Sequence, residues 1–163
     1  MGLNHNNDQV KIDSTDGAAG ARATNSLTGT VGQYKTTIVT FIRSTTDATP
    51  TLLTITGDTP MPSTRFSIAG DKAYGCMLHV VGKSATEVKY FTRRFLIQNN
   101  FGTTAIVGAV DTIGTDIASG GAAAWTISIT ADNPTDTLQI EVTGAAATTI
   151  NWSGTLQTTE VGT

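Results

Sequence analysis

From Tyr34 onward the chain alternates apolar and polar residues in short runs broken by turn residues. The last three runs show it most plainly. Trp125, Ile127 and Ile129 share one face, then Leu138, Ile140 and Val142, then Ile150, Trp152 and Leu156 with Gly154 between them. Strict period-two alternation marks half-buried antiparallel strands. Six earlier runs carry the same β-rich character: Tyr34 to Arg43, Pro50 to Thr56, Arg65 to Ala69, Tyr74 to Val81, Glu87 to Gln98 and Thr103 to Ile113. Gly57-Asp58-Thr59-Pro60, Gly70-Asp71, Asn99-Asn100-Phe101-Gly102 and Asp132-Asn133-Pro134-Thr135-Asp136 supply turn chemistry between them. No run of ten residues carries a helical stripe. Eight or nine strands in this arrangement predict an all-β fold, an antiparallel β-sandwich of jelly-roll type.

Two runs depart from clean alternation. In Glu87 to Gln98 both faces mix large apolar and charged residues: Lys89, Phe91 and Arg93 on one, Tyr90, Arg94 and Leu96 on the other. Either a bulge shifts the phase or the outer face meets another subunit. The run from Thr103 reads as buried on both faces. The first 33 residues show no period at all, with Leu3, Val10, Ile12, Leu27 and Val31 as their sizeable apolar side chains. The chain therefore divides into an extended N-terminal arm, residues 1–33, and a β-sandwich domain, residues 34–163. An arm of that composition cannot offset its ordering entropy alone. It is read either as a floppy terminus or as an arm that orders against a neighbour, with Leu3, Val10, Ile12 and Leu27 as anchors in the second case.

Composition supports the β reading. Thr supplies 32 of 163 residues, and charged residues are only 14%. An average soluble domain has about a quarter. That excludes a long-helix or coiled-coil protein and a charged disordered chain. No apolar run is long enough for a membrane helix, and the N-terminus lacks the basic and apolar regions of a signal peptide. The expectation is no membrane partner and synthesis in a reducing cytoplasm. Cys76 is the single cysteine and cannot form an intramolecular disulfide.

Charge is unevenly spread. Residues 33–100 carry a net +4, whereas residues 101–163 carry −6 with no Lys or Arg. The acidic third would repel phosphates. The basic middle, through Lys83, Lys89, Arg93 and Arg94, lacks an aromatic platform for nucleic acid. Electrostatic complementarity within or between subunits is the favoured reading, and nucleic acid is not expected as a partner. Arg93 and Arg94 are candidates to meet Asp111, Asp116 or Glu141 across a subunit interface.

Catalytic chemistry finds little support. His5 lies in the arm, and His79 alternates with Met77 and Val81 as a core or interface histidine would. Cys76 and His79 would point to opposite faces of a strand, so no dyad is expected. One cysteine provides no zinc spacing, and no phosphate-loop or nucleophile-elbow motif occurs. The acidic turn at Asp132 to Asp136 offers oxygens of the kind calcium takes, but the same residues are ordinary turn formers, and that reading is favoured. No catalytic, cofactor or metal site is predicted, and the protein is read as not an enzyme.

The runs Ala124 to Asp132, Leu138 to Gly144 and Thr149-Ile150-Asn151-Trp152, with Thr45 to Leu52 and Leu78 to Lys83 upstream, resemble a β module recurrent in tailed-bacteriophage virion proteins. The resemblance covers residues 34–161. It implies a structural role, commonly as a trimer, on head-decorating proteins or at fibre ends. With about 33 residues before the module rather than a long stalk, the chain looks more like a capsid decoration (cement) protein. On that reading it binds the major capsid protein at the virion surface as a homotrimer, and the arm orders against the capsid shell or a neighbouring subunit. The alternative is a short tail-fibre tip or tail adaptor touching the host surface. An enzyme is the weakest reading.

Overall fold

The computed structural model describes residues 22–28 and 33–162, with side chains from Lys35 onward. Eleven strands follow in order: β1 (Arg22–Thr28), β2 (Gln33–Thr45), β3 (Thr51–Leu52), β4 (Phe66–Ser67), β5 (Lys72–Lys83), β6 (Val88–Asn100), β7 (Thr103–Thr112), β8 (Ile117–Ala118), β9 (Thr126–Asp132), β10 (Thr137–Thr143) and β11 (Ile150–Gly162). Three short 3-10 turns interrupt the connections. Every pairing is antiparallel. The large sheet runs β1-β2-β11-β5-β6-β7, with β8 beside the start of β6. In the small sheet β9 lies on one side of β10, and β3 and β4 meet opposite ends of its other side.

The fold is an all-β sandwich, as the alternation predicts. Its two sheets are unequal, and β11 returns from the small sheet to fill the place between β2 and β5. The core lies between the sheets. Val39 and Phe41 of β2, Leu78 and Val80 of β5, Phe91, Phe95 and Ile97 of β6 and Ile150, Trp152 and Leu156 of β11 face Leu138, Ile140 and Val142 of β10. Trp125 and Trp152 are both buried, as the face assignment requires, and their rings meet edge to face at 5.5 Å. Trp152 Nε1 donates to Thr45 Oγ1 at 3.0 Å.

The stretch Arg22–Thr28, assigned to the arm by its lack of pattern, is a strand on the β2 edge, from Arg22 opposite Val39 to Thr28 opposite Gln33. An edge strand needs only backbone partners, so side-chain period is a weak guide there. Leu3, Val10 and Ile12 lie outside the described residues. Of Leu27 only the backbone position, opposite Tyr34, is described.

The mixed faces of the fifth run have a definite explanation. β6 keeps one phase throughout, its odd-numbered residues facing in. The irregularity sits on the partner strand. Arg94 opposes Asp111 and Leu96 opposes Val107, so residues 108–110 of β7 stand against Phe95 alone. Gly108 makes that bulge with φ +75°. β7 itself is mostly exposed on its outer edge rather than buried on both faces.

Candidate functional site

The inward charges of β6 hold down the segment that follows β7. Lys89 is 7% exposed, and its Nζ donates to the carbonyls of Ala123 at 2.8 Å and Trp125 at 2.7 Å. Its ammonium lies 5.1 Å from the centre of the Phe91 ring, and the Arg93 guanidinium lies 5.4 Å from the same ring. Arg93 grips Asp116 with two bonds, Nη1 to Oδ1 at 2.6 Å and Nη2 to Oδ2 at 2.9 Å. Glu87 accepts from the Ser119 hydroxyl and from Gly121 N–H. Three side chains near the start of β6 thus fasten residues 116–125 over the open end of the sandwich.

The arginines picked out from sequence both find their acids inside the chain. Arg93 pairs with Asp116 as above, and Arg94 Nη2 meets Asp111 Oδ2 at 2.7 Å across the β6–β7 ladder. Neither pair needs a neighbouring subunit to be complete. The two differ in setting. The Arg93 and Asp116 side chains are 12% and 26% exposed, those of Arg94 and Asp111 63% and 50%. Hydrogen bonds from Arg93, and its charge, hold the Asp116 carboxyl below the usual carboxylate range despite partial burial. Glu141 is brought to neither arginine. It sits on the outward side of the small sheet, opposite Leu52 and Ser128. Lys89, one of the residues weighed for nucleic acid, is internal.

The outward face of the large sheet forms the broadest surface. Rows of residues run across it, strand by strand. One row reads Ile38, Gln157, Met77, Arg94 and Asp111. The next reads Thr36, Thr159, Gly75, Leu96 and Val107. Gly75 has no side chain, so that row has a gap between Thr159 and Leu96. Over the gap lies an open hollow of about 700 Å³ walled by Met77, Leu96, Val107 and Ala109, with Arg94 and Asp111 at its rim. Leu96 is 40% exposed and Val107 39%.

No protein-family model, curated protein or solved structure matches this chain.

His79 lies on the same outward face, between Met77 and Val81. Its Nδ1 is 2.5 Å from the Tyr90 hydroxyl, and the two rings stack nearly parallel at 5.9 Å. Cys76 faces inward, and burial pushes its thiol up to about 12, which suppresses the thiolate. In the acidic turn, Asp132 Oδ2 accepts from Arg65 at 2.7 Å and Gln139 at 3.0 Å, and Asp136 Oδ1 accepts from Thr104 Oγ1 at 2.6 Å. Those oxygens bind the turn to Arg65, just before β4, and to β7 and β10. Among the described residues no three His, Cys, Asp or Glu side chains gather at one point, and no helix is long and apolar enough to cross a membrane.

Sequence reasoning missed the hollow at Gly75, the Lys89 anchorage and the exposed ring on the tip of the β6–β7 hairpin, though it placed the turn itself. That tip is the two-residue turn Phe101-Gly102, with φ +49° and +87°. Both values are positive, as a type I′ turn requires, and Asn-Gly is the usual pair there. The signal was present in the Asn99-Asn100-Phe101-Gly102 sequence: a bulky aromatic where the turn favours a small polar residue.

Proposed function

We propose that the protein is a structural component of a tailed-phage virion, a capsid decoration protein that binds the head surface and stabilises the shell. The resemblance of residues 34–161 to a recurrent virion β module supports this reading. The observation that carries it in the fold is the outward face of the large sheet. That face is broad and Thr-rich, with Ile38, Val81, Leu96 and Val107 each about two-fifths exposed. Such a surface, with apolar residues dispersed among polar ones, suits contact with another protein surface more than enclosure of a small molecule. The charged pairs nearby serve the fold: Lys89 and Arg93 secure residues 116–125. The major capsid protein is the proposed partner and a homotrimer the proposed state.

Copy number in purified virions tests the reading. Quantitative mass spectrometry against the major capsid protein should find hundreds of copies per particle. A handful would place the protein on the tail, as a fibre tip or adaptor. Particles lacking it should also lose DNA at a lower temperature than complete ones.

A further inference from the structure

Gly75 and Phe101 each break a local rule. Gly75 stands within β5, where glycine weakens a strand. Its φ is not positive, and a Cβ built there would meet only Thr159 O, at 4.0 Å. Neither backbone nor packing calls for glycine. What its missing side chain does is open the hollow between Thr159 and Leu96. Phe101 is 84% exposed and holds φ +49°, a left-handed conformation unfavourable for a bulky side chain. Neither the turn nor the core calls for phenylalanine. What its side chain does is project a ring from a short, stiff hairpin.

We propose that Phe101 of one copy inserts into the hollow over Gly75 of another, so that the chain associates with itself head to tail. The knob is an aromatic ring, the hollow offers it Met77, Leu96 and Val107 beside Gln157, Thr159 and the Arg94–Asp111 pair, and both are carried by this chain. A hollow of about 700 Å³ holds a phenyl ring together with neighbouring hairpin atoms. The contact cannot form within one copy. Phe101 lies five residues beyond Leu96, in the turn just past the end of β6, about 17 Å away at the rise of an antiparallel strand. Two different surfaces meet, so the contact is heterologous. It either closes into a ring, such as a trimer, or continues as a filament. The proposal does not depend on the virion reading, since it concerns contacts between copies of this chain alone.

Sedimentation velocity of the full chain in low salt, over a concentration series, tests it with Gly75→Val and Phe101→Ala. The wild type should assemble. Each variant should be monomeric where the wild type is assembled: Gly75→Val keeps the knob but puts a branched side chain on the floor of the hollow, and Phe101→Ala keeps the hollow without a knob. Mixed in equal amounts, they retain one productive contact and should form a one-to-one dimer and nothing larger. Circular dichroism verifies folding. Should either variant fail to fold, Leu96→Glu replaces the first and Phe101→Asn the second, both changes at exposed positions. A monomeric wild type at every concentration, a folded variant that assembles as the wild type does, or a mixture that stays monomeric overturns the proposal. Attachment to particles is measured separately, so loss of self-association and failure of the capsid reading are told apart.

Discussion

The two faces of β5 use the same residue for opposite ends. Gly82 points into the sandwich, directly opposite Trp152, and a Cβ there would overlap the indole ring. Gly75, seven residues earlier, points outward, and a Cβ there would meet almost nothing. Inside, core volume dictates glycine because a tryptophan lies flat on the strand. Outside, no part of the described fold fills the space. The charges divide likewise: Lys89 is bound to two carbonyls within the fold, while the Arg94–Asp111 pair is open to water. The interior glycine and cation are thus fixed by the core packed around them, whereas at the exterior positions the described fold leaves room.

The largest expected effect is on the inner side. Trp152→Ala removes a ring packed against Trp125 and Phe91, and its Nε1 bond to Thr45. It should destabilise the fold by about 3–5 kcal/mol in urea unfolding. An unchanged midpoint would mean that the faces of β11 are wrongly assigned. Next in size is the pair of cations. Lys89→Ala leaves the carbonyls of Ala123 and Trp125 without their charged donor and should cost about 2–3 kcal/mol. Arg94→Ala, at an exposed pair, should cost about 0–1 kcal/mol. Equal effects from the two would erase the contrast between the faces.

The glycines sharpen it further, because one substitution should act with opposite signs. Gly82→Ala forces a methyl against a buried ring and should destabilise by about 1–3 kcal/mol. Gly75→Ala adds a side chain in open space and should stabilise by about 0.5–1 kcal/mol, through a lower entropy cost of folding. Thermal unfolding of the two variants side by side reads both signs.

The smallest effect concerns pH. Arg93 holds the folded Asp116 carboxyl below its usual value, so the unfolded state binds the proton more readily. The pair's contribution is full above the unfolded value of about 3.9 and is lost as pH falls from there through the lower folded value. Asp116→Asn should therefore be less stable than the wild type at neutral pH, and the difference should shrink in acid. Urea unfolding across that range checks it. A difference that persists unchanged as pH falls well below the unfolded value would show that the pair's linkage to protonation is not its source.

Much of the sandwich was legible in the chain. The strand positions of β9, β10 and β11 follow from alternation, and those of β2, β5, β6 and β7 from β-rich runs between turn residues, to within a few residues, and the inward faces of Trp125, Trp152 and Leu138 follow too. Alternation carries that information because successive side chains of a strand point to opposite sides, a property of the local backbone. β1 was not legible, since a short edge strand is held by backbone pairing to a neighbour and needs no side-chain pattern. Nor was the meaning of the charges on β6. Lys89 and Arg93 look like surface residues until a segment some 20 to 36 positions later folds back and supplies its carbonyls and carboxylate. Gly75 and Gly82 are indistinguishable as letters in one strand. Trp152, 70 residues beyond Gly82, decides that one is filled and the other open, because occupancy of space beside a strand depends on which distant segments cross it.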